Sequence, residues 1–262
     1  MILTADRNNF AAADFVPAVQ AWLGRTGHKS MDVRVALCDM DGTLYDSMPR
    51  HARAWHDMML TQGLDIPAER FFALEGRTGA DTINLLMQEY FGRTLDAGQC
   101  AALYSIKSEN FRRLQQTEGI RVMEGAPQLV ASFISEGIEP VLVTGSGQSS
   151  LIDRLAHDYP GAFGLRVTAR DVSHGKPHPE PYLRAMSLAG ATTRQAFVLE
   201  NAPLGVMSGY RAGMFTIAVN TGPIPAAELE AAGADVTFAS MIQCRDAFGA
   251  LLEAMRGSQA AG

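Results

Sequence analysis

The chain has 262 residues, 47% of them hydrophobic and 19% charged, with a formal net charge of -6. That length supports one large domain or a core with a smaller partner, and the acidic balance, without a lysine- or arginine-rich run, leaves no basic face for nucleic acid. Three scattered cysteines, Cys38, Cys100 and Cys244, make neither a disulfide framework nor a zinc site.

In chain order, Met1 to Ser30 contains one amphipathic run, Phe15 to Leu23, and then a turn-rich Gly24-Arg25-Thr26-Gly27. It reads as an appended helix on a flexible tether. Asp6, Arg7, Asp14 and Pro17 deny it the apolar stretch of a signal peptide. No segment reaches the roughly 18 apolar residues of a membrane helix, so a cytoplasmic location and no membrane partner are expected. Val33 to Cys38 is β-branched and apolar and stops abruptly at Asp39, as a short buried strand does on entering a polar loop. From 47 to 119 the pattern turns helical. His51, Ala52, Trp55, Met58 and Met59 share one stripe, and Ile83, Leu86, Met87 and Tyr90 share another. Beyond Gly119, strands are expected at Pro140–Thr144, Leu165–Thr168, Ala196–Glu200, Phe215–Val219 and Asp235–Phe238. Helices are expected at Ala126–Ser135, Ser149–His157, Pro181–Leu188, Gly205–Arg211, Ala226–Ala232 and Met241–Met255.

This alternation predicts an α/β fold, a Rossmann-like doubly wound parallel sheet with helices on both faces. The core would comprise 31–46 and 120–262, with an all-helical cap at 47–119 and an N-terminal extension at 1–30. Open sheets of this kind bind ligands at the carboxyl ends of their strands. Three expected strands end there in polar groups: Asp39, Thr144 and Glu200-Asn201.

Four short segments could carry chemistry. In Asp39-Met40-Asp41-Gly42-Thr43, two carboxylates two residues apart can divide metal ligation and proton transfer, or merely cap a turn. Thr144-Gly145-Ser146 offers a hydroxyl and free amides for an anion, though short Gly/Ser turns are common. Lys176, between Gly175 and Pro177, is a cation in a stiffened loop or simply an exposed lysine. Glu200-Asn201 could give oxygen ligands to Mg²⁺, or Asn201 could cap a helix.

Together and in this order the four segments resemble those of the haloacid dehalogenase-like hydrolases, in the subgroup with a helical cap after the first strand, which includes β-phosphoglucomutase. The resemblance spans Val33 to Met255. It implies that Asp39 attacks phosphorus and becomes an aspartyl phosphate, and that Asp41 is the acid and base. It further implies that Thr144, Gly145 and Ser146 hold phosphoryl oxygens and that Lys176 neutralises charge. Mg²⁺ would sit on Asp39, the Asp41 main-chain carbonyl and Asn201, with Glu200 as a ligand or just behind. An acidic chain acting on an anion needs these cations.

The pattern departs from the common one at Asn201, where an aspartate is usual, and in the cap segment Leu74-Glu75-Gly76-Arg77-Thr78-Gly79. There Glu75 and Gly79 stand where mutases of the subgroup carry a lysine and an arginine for a second phosphate. Glu75 either pairs with Arg77 or caps a helix, or it reaches the cleft and supplies the charge missing at Asn201. The second alternative favours a compact substrate such as inorganic pyrophosphate, with Arg77 meeting the leaving phosphate and His51 contacting substrate. The expected activity is Mg²⁺-dependent hydrolysis of a small phosphorylated compound; a β-phosphoglucomutase-like isomerase is the alternative.

Overall fold

Runs such as Val35–Cys38 and Phe215–Val219, buried at every position, have no face to offer water, which is the signature of strands covered by helices on both sides. A computed structural model describes residues 1–147 and 149–259, and of Ser149 the backbone only; the expected core segment's last residues, 260–262, lie outside it. In chain order the elements are α1 (Ala12–Thr26), β1 (Val35–Cys38), β2 (Tyr45–Asp46), α2 (Met48–Leu60), α3 (Ala68–Phe72), α4 (Gly79–Phe91) and α5 (Ala97–Glu118). There follow β3 (Arg121–Val122), α6 (Ala126–Ser135), β4 (Glu139–Val143), α7 (Ser149–Asp158), β5 (Leu165–Val167) and α8 (Glu180–Leu188). The chain ends through β6 (Ala196–Glu200), α9 (Pro203–Arg211), β7 (Phe215–Val219), α10 (Ala226–Ala231), β8 (Val236–Phe238) and α11 (Met241–Gly257).

Six strands form one parallel sheet in the order β5-β4-β1-β6-β7-β8. The expected α/β architecture is therefore present. Side chains alternate across it. Ala36, Cys38, Leu142, Phe197, Leu199 and Phe215 pack on one face with α1, α6, α7 and α11. Val35, Leu37, Val141, Val143 and Val198 pack on the other with Tyr182 and Ala185 of α8. Strand β1 is central. The connections leave it toward β4 on one side and β6 on the other, so Asp39 emerges at the topological switch point.

Between β2 and β3 the chain is helical. Helices α2 to α5 enclose their own apolar cluster, including Met58, Met59, Phe71, Ile83, Leu86, Met87 and Leu103. Tyr90, expected on that stripe, is 46% exposed, because the interior of the unit ends a turn earlier at Leu86 and Met87. The antiparallel pair β2–β3, where the chain leaves and re-enters the core, had no readable signal; each strand is two residues long.

The N-terminal segment corrects the expected flexible tether. Helix α1 runs on through Gly24 to Thr26 and ends at Gly27 in the left-handed conformation. Phe15, Val19, Trp22 and Leu23 are buried in the main core, and Trp22 Nε1 donates to the Gly213 carbonyl at 3.2 Å. Residues before α1 close the sheet's edge: Leu3 donates its backbone N–H to Thr237 at 2.9 Å, and Thr237 donates to the Met1 carbonyl at 2.8 Å. An exposed β8 edge would otherwise be open to pairing with another chain. Trp22→Ala is expected to cost about 3–5 kcal/mol, lowering the Tm by roughly 10 °C in a thermal melt. An unmoved Tm would mean that α1 is a detachable appendage after all.

Candidate active site

Asp39 leaves β1 with its backbone N–H bonded to Leu199 of β6 at 3.0 Å, which fixes where its side chain begins. Asp39 Oδ1 accepts from Lys176 Nζ at 2.6 Å, and the same ammonium donates to Glu200 Oε1 at 2.7 Å and to the Val143 carbonyl at 3.2 Å. Lys176 is 1% exposed. Burial opposes its charge, but Asp39 and Glu200 outweigh it and hold the ammonium above its ordinary range. Glu200 is fully committed. Its Oε1 also accepts from Tyr182 Oη at 2.8 Å, and its Oε2 accepts the backbone N–H groups of Asn201 and Ala202 at 2.9 and 3.2 Å. These four contacts take up the acceptor positions of the carboxylate.

Asp41 is held in a second network. Its Oδ1 accepts from Ser47 Oγ at 2.6 Å and pairs with His51 Nε2 at 2.9 Å; His51 Nδ1 in turn lies 2.6 Å from Lys107 Nζ. A lysine donating to Nδ1 leaves the proton on Nε2, so the imidazole donates to Asp41. Against the penalty of burial, His51 and Ser47 keep the Asp41 carboxyl below its ordinary value. Burial pulls Lys107 down to about 7 and, together with Lys107, lowers His51. Lys107 is a further residue of this network, and the sequence carries a signal for it. It sits among Cys100, Leu103, Phe111 and Leu114 on the buried stripe of α5, where an unpaired lysine has no reason to be.

Among the described residues Glu75 has no ion pair with Arg77; Asn201 Nδ2 donates to both its oxygens, at 3.1 and 3.2 Å. Asn201 Oδ1 meanwhile accepts from Thr43 Oγ1 at 3.1 Å. Gly42 makes the approach possible: at φ +82 it turns the chain, and a Cβ there would lie 2.1 Å from Asn201 Nδ2 and 3.1 Å from Glu75 Oε1. Desolvation, then the Asp39 and Glu200 carboxylates, push Glu75 well above its ordinary value. Burial also drives Asp39 up, to about 8, with Lys176 opposing and Glu200 and Asp41 assisting.

Asp39, Asp41, His51, Glu75, Arg77, Thr144, Gly145 and Ser146 thus line one cleft of about 60 Å³, with Lys176, Glu200 and Asn201 behind its floor. Thr144 Oγ1 accepts the Ser146 N–H at 3.0 Å, folding that loop toward Asp39. Among the described residues, buried Asp39 Oδ2 has no hydrogen-bond partner, nor does Arg77 Nε. Around Asp39 stand the carboxylates of residues 41, 75 and 200; Lys176 pairs with Asp39 and Glu200 and His51 with Asp41, while Glu75 meets the neutral Asn201 amide. The site is short of positive charge, and its remaining donors are hard oxygens. That combination fits a divalent cation such as Mg²⁺.

Residues 33–213 match the family model described as haloacid dehalogenase-like hydrolase. The chain belongs to that family. The hydrolase is 34% identical over 188 residues to hexitol phosphatase A of Escherichia coli, covering 70% of this chain and 82% of that protein. It is 26% identical over 242 residues to a β-phosphoglucomutase of Mycobacterium bovis, covering 80% and 91%. A solved structure from Bacteroides vulgatus, named as a β-phosphoglucomutase, superposes with a TM-score of 0.89 at 42% identity, covering 94% of the hydrolase and all of that chain. The hydrolase is accordingly an enzyme of the phosphatase and phosphoglucomutase-like branch. Among its described residues no helix is long and apolar enough to cross a membrane.

Proposed function

We propose that the hydrolase is a Mg²⁺-dependent phosphohydrolase of the cytoplasm that cleaves inorganic pyrophosphate through a phosphorylated Asp39. The observation that carries this reading is the meeting of Glu75 with Asn201 beside Asp39, in a cleft of about 60 Å³. Most pockets for drug-sized ligands are several-fold larger, roughly 300–1,000 Å³. Asp39, the Asp41 main-chain carbonyl, Asn201 and Glu75 would hold the metal, which supplies the charge that lets an anionic nucleophile and an anionic substrate approach. The helical unit, 47–119, acts as a cap.

Asp39 attacks phosphorus in line, forming an acyl phosphate as the bond to the leaving oxygen breaks. Asp41, aimed by Ser47 and His51, relays to that oxygen the proton it accepts from His51 Nε2. In the second half a water attacks the acyl phosphate, its proton returns to Asp41, and orthophosphate and free Asp39 are regenerated. Thr144 and the Gly145 and Ser146 amides cradle the transferring group, Lys176 steadies its charge, and Arg77 receives the leaving phosphate. Phosphate release from pyrophosphate, compared with a panel of sugar phosphates and measured with and without Mg²⁺, tests the reading. Metal-independent release, or no release from pyrophosphate, overturns it.

The names borne by the relatives favour a second reading, a mutase that hands phosphate back to a sugar. A carboxylate at Glu75 and a bare Gly79 argue against holding a second phosphate, and conversion of β-glucose 1-phosphate is the discriminating assay. Glu75→Ala is expected to weaken the apparent Mg²⁺ affinity about 10–100-fold, while raising the Tm in EDTA because one desolvated carboxylate has gone. Unchanged activity and Mg²⁺ requirement would remove Glu75 from the metal set.

A further inference from the structure

Gly79 opens α4, capped by the hydroxyl of Thr78, which accepts the Asp81 N–H at 3.2 Å. The room a side chain would need there is taken. A Cβ on Gly79 would stand 2.2 Å from Cδ2 and 2.4 Å from Cε2 of Tyr104, so the aromatic ring of α5 lies directly over the glycine. From that position the ring runs across the cleft wall. Its hydroxyl accepts the Gly147 N–H at 3.2 Å, at the end of the loop that carries Thr144, Gly145 and Ser146. Trp55 flanks it at 6.1 Å and Lys107 lies 5.8 Å from its centroid. One side chain of the helical unit therefore both fills space above the substrate loop of 74–79 and fastens that unit to the loop 144–147.

We propose that Tyr104, seated on Gly79, sets the size of substrate the cleft accepts, excluding phosphate esters with a bulky leaving group and favouring a compact one. The inference rests on the cleft being the phosphohydrolase site of the preceding section. A tertiary contact, rather than a contact with the reacting atoms, makes Tyr104 a specificity residue and not a catalytic one. Binding differences of this steric kind are worth roughly 10–200-fold in kcat/KM.

The test is the ratio of kcat/KM for sorbitol 6-phosphate to that for pyrophosphate, in the parent, Tyr104→Ala, Gly79→Ala and Tyr104→Phe. Tyr104→Ala should raise the ratio at least tenfold. Gly79→Ala, whose methyl takes the place of the ring and forces it to shift, should move the ratio as well. Tyr104→Phe keeps the bulk and loses the bond to Gly147, so it should raise KM for both compounds and leave the ratio within about twofold. A ratio unmoved in Tyr104→Ala and Gly79→Ala overturns the inference; if Tyr104→Ala does not fold, Gly79→Ala alone decides. Should the parent turn over neither compound, the proposed function fails separately. The inference is then read from the ratio of their dissociation constants, measured by calorimetry with Mg²⁺ present, and an unmoved ratio or absent binding ends it.

Discussion

Asp39→Asn leaves a folded protein that has lost about 10⁴-fold or more in kcat. The chemistry explains the loss, since an amide is a poor nucleophile toward phosphorus and the reaction is confined to the slow direct attack of water. Structure explains why the fold survives. Lys176 keeps Glu200 and the Val143 carbonyl as partners when Asp39 is neutral. Asp39 is also a carboxylate that burial and its acidic neighbours already disfavour. Removing its charge should hold or raise the Tm, the usual trade of a site built for reactivity rather than rest. Single-turnover phosphate release together with a thermal melt checks both halves. A parental rate would end the nucleophile assignment, and a collapsed Tm would mean that the charge is structural.

Lys176→Met has the opposite profile, with both properties falling. Asp39 and Glu200 would remain buried beside a thioether, and breaking a buried pair by removing one partner costs about 3–5 kcal/mol. Activity should fall about 10³-fold or more through loss of the positive charge at the transferring group. The stability loss has a pH signature. Asp39 already has a raised folded value, to about 8, and without Lys176 it rises further. A carboxyl raised on folding binds its proton more tightly in the native state, so its contribution is present at low pH and lost as pH climbs through the folded value. The Tm gap between parent and variant should therefore stay nearly level from pH 5 to pH 7 and widen above about pH 8, where Asp39 ionises in the parent and not in the variant. A gap independent of pH would show that the lysine's stem, not its charge, is what the core requires.

These outcomes rest on features of unequal legibility in the sequence. The strand ends at Asp39, Thr144 and Glu200 could be read because a buried apolar run has to stop where polar chemistry starts, and the alternation of elements told where those ends converge. The meeting of Glu75 with Asn201 could not be derived in the same way, since 126 residues separate them and the approach depends on Gly42 having no side chain. The type and position of Glu200 suit a metal ligand or a residue just behind one; that Tyr182, two backbone N–H groups and Lys176 engage its oxygens is a tertiary fact. The amphipathic face of α1 was visible, but nothing local says what covers it. Lys107 is legible in principle, as a charge standing on an apolar stripe.

The partner of α1 has a kinetic meaning. Trp22 reaches Gly213 across 191 positions, and Gln243 clasps the carbonyls of Thr4 and Arg7 from 239 and 236 positions away. Contacts so distant along the chain form late, because loop closure has to precede any gain from them. During synthesis, α1 waits with Phe15 and Trp22 uncovered until β7 and α11, far behind it in the chain, emerge to receive it.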